Sequence, residues 1–259
     1  MKGIVLAGGS GTRLYPITKS ISKQLLPIYD KPMIYYSLSV LLLAGIKDIM
    51  IISTPHDINS YKKLFKSGAH LGINIKYKIQ PKPKGLAQAF ILAENFIGND
   101  PVTLILGDNI FYGDGFPKTL NAISDDKTAH IFSYKVKDPE RYAVIDFADN
   151  GEISNIVEKP KHHISDSVVS GLYYLPSDAG EYAAGLTASE RGELEISNLL
   201  EIYLRQNRLN HIPLGRGMTW FDVGTHESLL EASQYVRVLE GRQGQKIAWP
   251  AEVAKNARF

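Results

Sequence analysis

No cysteine occurs among the 259 residues, which removes disulfides, thiolate zinc sites and cysteine nucleophiles together. Charge of one sign is equally scarce, with 29 Lys and Arg against 27 Asp and Glu for a net of +2. That balance gives no electrostatic footprint for nucleic acid or a membrane surface, and no stretch gathers Lys and Arg into a basic arm. The apolar run after Met1-Lys2-Gly3 lasts only a few residues, so neither a signal peptide nor a membrane span is expected. The seven histidines contain no His-Glu-x-x-His pattern, and His162-His163 falls in a polar loop. Zinc and a histidine-based triad are therefore not expected. Long linkers, internal repeats and low-complexity tracts are also missing. What remains is a globular chain, expected in the cytoplasm, long enough to bury roughly three quarters of its unfolded surface.

What is present alternates. Ile4-Val5-Leu6, Asp48 to Ser53 and Val102 to Leu106 are short, apolar and branched, as buried parallel strands are. Met33 to Ala44 predicts a helix ending at Gly45, and Gly85 to Phe96 predicts another, stopped by Gly98. Ile73 to Ile79 alternates apolar and polar residues, which predicts a half-exposed strand. Strands separated by helices of this length predict an α/β fold, a Rossmann-like doubly wound mixed sheet flanked by helices. After about Gly113 the texture changes. His130 to Val136, Tyr142 to Phe147, Ile153 to Glu158 and Val168 to Leu175 predict further strands, with a turn at Asp149-Asn150-Gly151. Helices are predicted again at Glu195 to Gln206 and Thr225 to Arg242, the second capped by Thr225. The whole reads as one unit, 1–259, with a first half 1–113, an elaborated β-rich region 114–230, and a helix and tail 231–259.

The segment Leu6-Ala7-Gly8-Gly9-Ser10-Gly11-Thr12-Arg13-Leu14 follows the first strand directly. Its glycines allow close approach of a ligand, and successive N–H groups can cradle phosphate oxygens. A dinucleotide fingerprint would need glycine where Leu14 stands and an acidic end to the second strand, where Ile52-Ser53-Thr54 has none. A Walker loop would need Gly-Lys followed by Ser or Thr. The third reading is an anion loop tipped by Arg13 and assisted by Lys23, a planar fork of donors and a point charge. A plain tight turn with a solvated arginine is the alternative. Asp108 follows the run Val102 to Leu106, at the carboxyl end of a predicted central strand, where open α/β sheets place ligands. With Asp222 it could hold a hard cation, Mg²⁺ being favoured where phosphates supply the other ligands. A turn residue at 108 and a core neighbour at 222 are the alternatives.

Gly8-Gly9-Ser10-Gly11-Thr12-Arg13-Leu14, Ser22-Lys23-Gln24-Leu25-Leu26-Pro27 and Asp30-Lys31-Pro32 together resemble the signature of sugar-1-phosphate nucleotidyltransferases. The resemblance continues through Gln80-Pro81, Gly85-Leu86-Ala87-Gln88-Ala89, Leu106-Gly107-Asp108-Asn109, Glu158-Lys159-Pro160, Arg191 to Ile196 and Trp220 to Thr225. It covers almost the whole chain and is nearest to the enzymes that join dTTP to glucose 1-phosphate. Those are the partners it implies, with Mg²⁺ as cofactor and pyrophosphate as leaving group. It implies catalytic roles for Arg13, Lys23, Asp108 and Asp222, and metal binding by the two aspartates. Nucleotide binding is implied for Gly8, Gly9, Ser10, Gly11, Thr12, Arg13, Gln24, Gln80, Pro83, Gly85 and Asp108. Sugar-phosphate binding is implied for Asn109, Tyr142, Ala143, Glu158, Lys159, Val169, Tyr173, Arg191 and Trp220. A homo-oligomer, dimer or tetramer, is implied as well.

Three departures stand out. Ala143 replaces a glycine usual in this family, where a methyl would crowd the sugar or disfavour positive φ. Asp114 stands where histidine is common. The sequence stops at Phe259, whereas long members continue as C-terminal helices over a regulatory surface, so weakened or altered product feedback is expected. Two other readings stay open: a UTP-dependent enzyme of the same class, and a non-catalytic nucleotide-sugar sensor.

Overall fold

The computed structural model describes residues 1–123, 125–257 and 259. Its strands and helices run β1 (Lys2–Ala7), β2 (Pro27–Ile28), β3 (Lys31–Pro32), α1 (Ile34–Leu43), β4 (Asp48–Ser53), α2 (Ile58–Phe65), β5 (Asn74–Ile79) and α3 (Gln88–Ile97). They continue as β6 (Val102–Leu106), β7 (Asn109–Gly113), α4 (Phe116–Asn121), β8 (Ala129–Lys135), β9 (Ala143–Phe147), β10 (Ile153–Glu158) and β11 (Ser167–Leu175). Last come α5 (Ala179–Ala184), α6 (Ile196–Arg205), β12 (Leu209–Pro213), β13 (Met218–Asp222), α7 (His226–Gln243) and α8 (Pro250–Asn256). The fold is mixed α/β, with a large mixed sheet and flanking helices, as the alternating pattern predicts. By internal contact it divides into two units that interleave along the chain.

The first unit comprises Met1–Pro81, Ile105–Ile123 and Gly217–Phe259. Its centre is a parallel trio, β1 beside β4 and β4 beside β5. β1 and β4 are almost wholly buried, so both carry branched apolar residues without alternation. β5 alternates only at its start and is exposed toward its end. Helix α1 is apolar all round and buried over most of its length, and Gly45 leaves it at φ 73°, the left-handed turn its position predicts. An antiparallel ribbon, β7 with β13, pairs Gly113 with Met218 through to Asn109 with Asp222. A Cβ on Gly113 would lie 2.5 Å from the Gly217 carbonyl oxygen, so the ribbon closes only around glycine there. Helix α7 begins with a capping box, the Thr225 hydroxyl accepting from the Ser228 amide and the Ser228 side chain accepting from Thr225. It packs Ala232 and Val236 against Ile28, Met33, Tyr36, Ile110 and Val223. Beside that core the Lys31 ammonium is wholly buried, donating to Glu240 Oε1 at 2.7 Å and to Asp30 Oδ1 at 2.6 Å.

The second unit comprises Lys82–Leu104 and Ser124–Arg216. Its central strand is the buried β11, antiparallel to both β8 and β9, with β10 on β9 and β12 parallel to β8. Helix α3 starts at Gln88, three residues later than its apolar face suggests. Gly85 is held at φ 97°, and a Cβ on it would meet the Leu194 carbonyl oxygen at 2.4 Å. Lys84 and Ala87 bond the two ends of Leu194, so 84–87 is a pinned loop instead of a first helical turn. Helix α6 runs one residue inside its predicted range at each end and buries Leu199, Leu200 and Tyr203.

Candidate active site

In the first unit β1 ends at Ala7 and the chain enters the glycine loop. Gly9 and Gly11 take φ 95° and 59°, which side-chain-bearing residues rarely adopt. A 3₁₀ turn, Thr12–Leu14, follows instead of an α-helix, so the loop has no helix macrodipole behind it. The donors it offers to an anion are its own amides and Arg13. The loop is tethered by the Thr18 hydroxyl, donating to the Gly11 carbonyl at 2.7 Å, and by Ser53, donating to the Ala7 carbonyl at 2.8 Å. Arg13 is exposed, and its guanidinium lies over Gly224, where a Cβ would be 2.9 Å from Nη2.

Asp108 sits in the bend between β6 and β7. The Gly107 amide donates to the Leu6 carbonyl at 2.9 Å, and the Ser37 hydroxyl lies 3.0 Å and 3.1 Å from the Leu106 and Asn109 carbonyls, donating to them. The β7–β13 ribbon sets Asp222 opposite Asn109, and the Val223 amide donates to the Asp108 carbonyl at 3.0 Å. Two acidic residues far apart in sequence are thus backbone neighbours. The Lys23 ammonium bonds Asp108 Oδ2 directly, the two side chains being 12% and 15% exposed. Burial pushes the Asp108 carboxyl up, but the Lys23 charge and hydrogen bonds from Lys23 and Asn109 together hold it below its ordinary value. Asp108 is accordingly ionised at neutral pH.

Asn109 is 1% exposed. Its Oδ1 accepts from Trp220 Nε1 at 2.7 Å and its Nδ2 donates to Asp108 Oδ1 at 3.0 Å. Its side-chain amide therefore braces Asp108, a role that sequence reading, which puts Asn109 and Trp220 on the sugar phosphate, does not foresee. Gln24 and Gln80 are buried, 3% and 4% exposed, so neither is an ordinary surface amide. Gln24 Nε2 donates to the Gly8 carbonyl at 3.2 Å. A Cβ on Gly8 would come within 2.5 Å of Gln80 Oε1, so both amides converge on Gly8.

The second unit gathers its own set. The β9–β10 hairpin pairs Ala143 with Glu158, and the Lys159 amide donates to the Tyr142 carbonyl at 3.0 Å. Lys159 has φ 44°, a left-handed conformation held by that bond. Ala143 is an ordinary strand residue without positive φ, so its methyl strains no backbone. Glu158 Oε1 lies 3.6 Å from Lys159 Nζ and 3.5 Å from Arg191 Nη2. Burial raises the Glu158 carboxyl above its ordinary value, Lys159 opposing and Glu195 adding to the rise. Arg191 is oriented by Glu195, donating from Nη2 at 2.8 Å and 2.9 Å and from Nε at 3.1 Å. Glu195 lies within the quoted motif yet goes unremarked in the sequence reading. Val169 and Tyr173 are buried in β11, Tyr173 opposite Ile131 of β8. Pro83 is exposed, and Gly85 is the pinned glycine described above.

The sequence profile of the nucleotidyl transferase family matches residues 2–238. The chain belongs to the nucleotidyl transferase family. A glucose-1-phosphate thymidylyltransferase of Neisseria meningitidis serogroup A is 54% identical over 255 residues, which is 98% of this chain and 88% of that protein. One from Mycobacterium tuberculosis is 52% identical over 254 residues, again 98% and 88%. A solved Bacillus anthracis structure described as a glucose-1-phosphate thymidylyltransferase, in complex with a sucrose, superposes with TM-score 0.84 at 40% identity over 92% of this chain and 95% of that one. A UDP-glucose pyrophosphorylase complexed with UDP-glucose is more distant, at TM-score 0.79 and 27% identity over 90% and 97%. As a nucleotidyltransferase, the chain carries the Rossmann-like mixed sheet its alternating pattern predicts. No helix among the described residues is long and apolar enough to cross a membrane.

Proposed function

We propose that this nucleotidyltransferase moves the thymidylyl group of dTTP to α-D-glucose 1-phosphate, giving dTDP-glucose and pyrophosphate. The observation that carries the reading is the β7–β13 pairing, which brings Asp222 beside Asp108 in the same unit as Arg13, Lys23 and Gly8. Relatives at 52% and 54% identity with that name support the choice of nucleotide and sugar.

An oxygen of the sugar phosphate attacks the α-phosphorus in line, the bond from that phosphorus to the bridging oxygen breaks, and pyrophosphate leaves. The obstacle is crowding of negative charge, so the protein's work is positioning and neutralisation. Lys23 has three donors, of which Asp108 takes one, leaving two for phosphoryl oxygens. Arg13 offers its fork to the β- and γ-phosphates, whose departure it eases. Gln24 and Gln80 read the pyrimidine, with Pro83 and Gly85 in the same task. In the second unit Glu158 accepts from sugar hydroxyls while Lys159 and Arg191 attract the 1-phosphate.

Two carboxylates beside Asn109 and Trp220 are a hard, all-oxygen donor set. Among the described residues no group of three or more His, Cys, Asp or Glu forms a metal cage. Two carboxylates suffice for Mg²⁺, which takes few protein ligands and completes its shell from phosphates and water. Asp108 and Asp222 would hold it, and when bound it neutralises charge on the reacting phosphates.

The reading carries with it a cytoplasmic place and a homo-oligomeric state, the latter checked by light scattering. The activity is tested by pyrophosphate release, pairing dTTP, UTP and dCTP with glucose, galactose and mannose 1-phosphates. The expected outcome is the highest kcat/KM for dTTP with glucose 1-phosphate. A higher value for UTP would replace the thymidylyl reading with a uridylyl one, and no turnover with any pair would overturn it.

A further inference from the structure

Beneath the glycine loop lies a cluster of hydroxyls that the reaction itself does not use. Tyr61, on α2, is wholly buried, and Ser22 is nearly so. Their oxygens are 2.6 Å apart, and Ser22 Oγ donates to Gln24 Oε1 at 2.9 Å, with the Tyr61 hydroxyl 3.4 Å from the same atom. Each hydroxyl has one proton and either can give it to Gln24 Oε1, so in every arrangement the Gln24 carbonyl is the acceptor. On its other side the amide nitrogen of Gln24 faces the Gly8 carbonyl, which can only accept. The orientation of the Gln24 amide is therefore determined twice. Flipping it would set two carbonyl oxygens against each other and turn nitrogen toward the hydroxyls.

Resting on the reading that Gln24 faces the base, we infer that Ser22 and Tyr61 are positioning residues for nucleobase selection. They occupy the carbonyl of Gln24, so that Gln24 meets the nucleotide only as a hydrogen-bond donor, through its second N–H. A donor fixed in this way selects a base that presents a carbonyl oxygen to it. An amino group in that position would confront a donor and leave both groups unpaired, the arrangement that gives strong rejection.

The test uses Ser22→Ala, Tyr61→Phe and Gln24→Met in the full chain, with inorganic tripolyphosphate as a probe that lacks a base. Ser22→Ala should raise the KM for dTTP roughly five- to tenfold and Tyr61→Phe less, since Ser22 still donates to Gln24 in the latter. The KM for glucose 1-phosphate and the affinity for tripolyphosphate should move less than about twofold. In the Gln24→Met background neither change should add a further loss. Equal weakening of dTTP and tripolyphosphate would mean that the hydroxyls merely support the loop, and would overturn the inference. So would an undiminished loss in the Gln24→Met background. Failure of the unaltered protein to use dTTP at all would instead strike the functional reading beneath it. Should Ser22→Ala not fold, Tyr61→Phe carries the same comparison alone.

Discussion

The two units handle charge differently. In the first, Lys23 and Asp108 are paired with most of their surface withdrawn from water, and Lys31 and Glu240 are sunk further still. In the second, Lys159 and Arg191 are 47% and 41% exposed and are steadied by Glu158 and Glu195. Ions withdrawn from water act on one another and on a ligand more strongly, and their places are fixed before any ligand arrives. Wet charges act more weakly but adapt. On the proposed roles, the first arrangement suits neutralising developing phosphoryl charge and the second suits recognising a hydrated sugar phosphate, the exposed Arg13 being the exception in the first unit.

That contrast can be broken most forcefully at a pair with no part in the chemistry. Glu240→Ala leaves the buried Lys31 ammonium without its one buried carboxylate, only the more exposed Asp30 remaining. Unfolding in urea should show a loss of about 3–5 kcal/mol. A loss under 1 kcal/mol would show that the first unit's charges are not withdrawn in solution. Next comes Lys23→Ala, which should lower kcat by about 10²–10³, the effect of removing one donor aimed at developing charge. Its urea midpoint should fall too, since Asp108 loses the charge that offsets its burial, so kcat is read on protein shown to be folded; normal pyrophosphate release would remove Lys23 from the reaction. Lys159→Ala should act more gently, raising the KM for glucose 1-phosphate about five- to tenfold and that for dTTP far less. Equal changes in both would sink its assignment to the sugar side.

The smallest effect concerns acid. Burial pushes the Glu240 carboxyl up, yet Lys31, the Ile247 amide and Lys246 outweigh it, so its pKa lies below the ordinary 4.5. Asp30, beside Lys246 and Lys31, is likewise held below 3.8. Carboxyls depressed in the folded state protonate first in the unfolded one. Their stabilisation is complete above those ordinary values and is lost as pH falls through the lower folded ones. Urea midpoints should therefore be flat near neutrality and fall below about pH 4.5, with a shallower fall in Glu240→Gln. An equal slope in that variant would assign acid sensitivity elsewhere.

Much of this was legible in the sequence, and the reasons differ by residue. The strands β1, β4 and β6 announce themselves as branched apolar runs, and Thr225 announces the start of α7. Asp108 could be suspected from its place after a buried strand. Its meeting with Asp222 is suggested by the family motifs and not by local pattern, because β13 is a five-residue strand whose partner lies in another part of the chain. The start of α3 was misjudged because periodicity sees the apolar face and not the backbone bonds of Leu194 that pin Gly85. The bracing of Asp108 by Asn109 is not legible in a motif, which records identity and not direction; the hydrogen bonds that turn its amide onto Asp108 belong to the folded chain. Tyr61 carried no signal, since a tyrosine on an amphipathic helix reads as core until its hydroxyl is found against Ser22.

The ribbon that joins Trp220 to Asn109 spans 111 positions of sequence. During synthesis the glycine loop, Lys23 and Asp108 all emerge well before β13 exists. A nascent chain can thus display its anion loop while lacking the second aspartate, the indole that holds Asn109, and the glycine under Arg13. On the role proposed for Asp222, competence waits until the last sixth of the polypeptide has paired back with β7. On the same proposal, a ribosome-stalled or clipped product ending before that strand is expected to be silent, not half active.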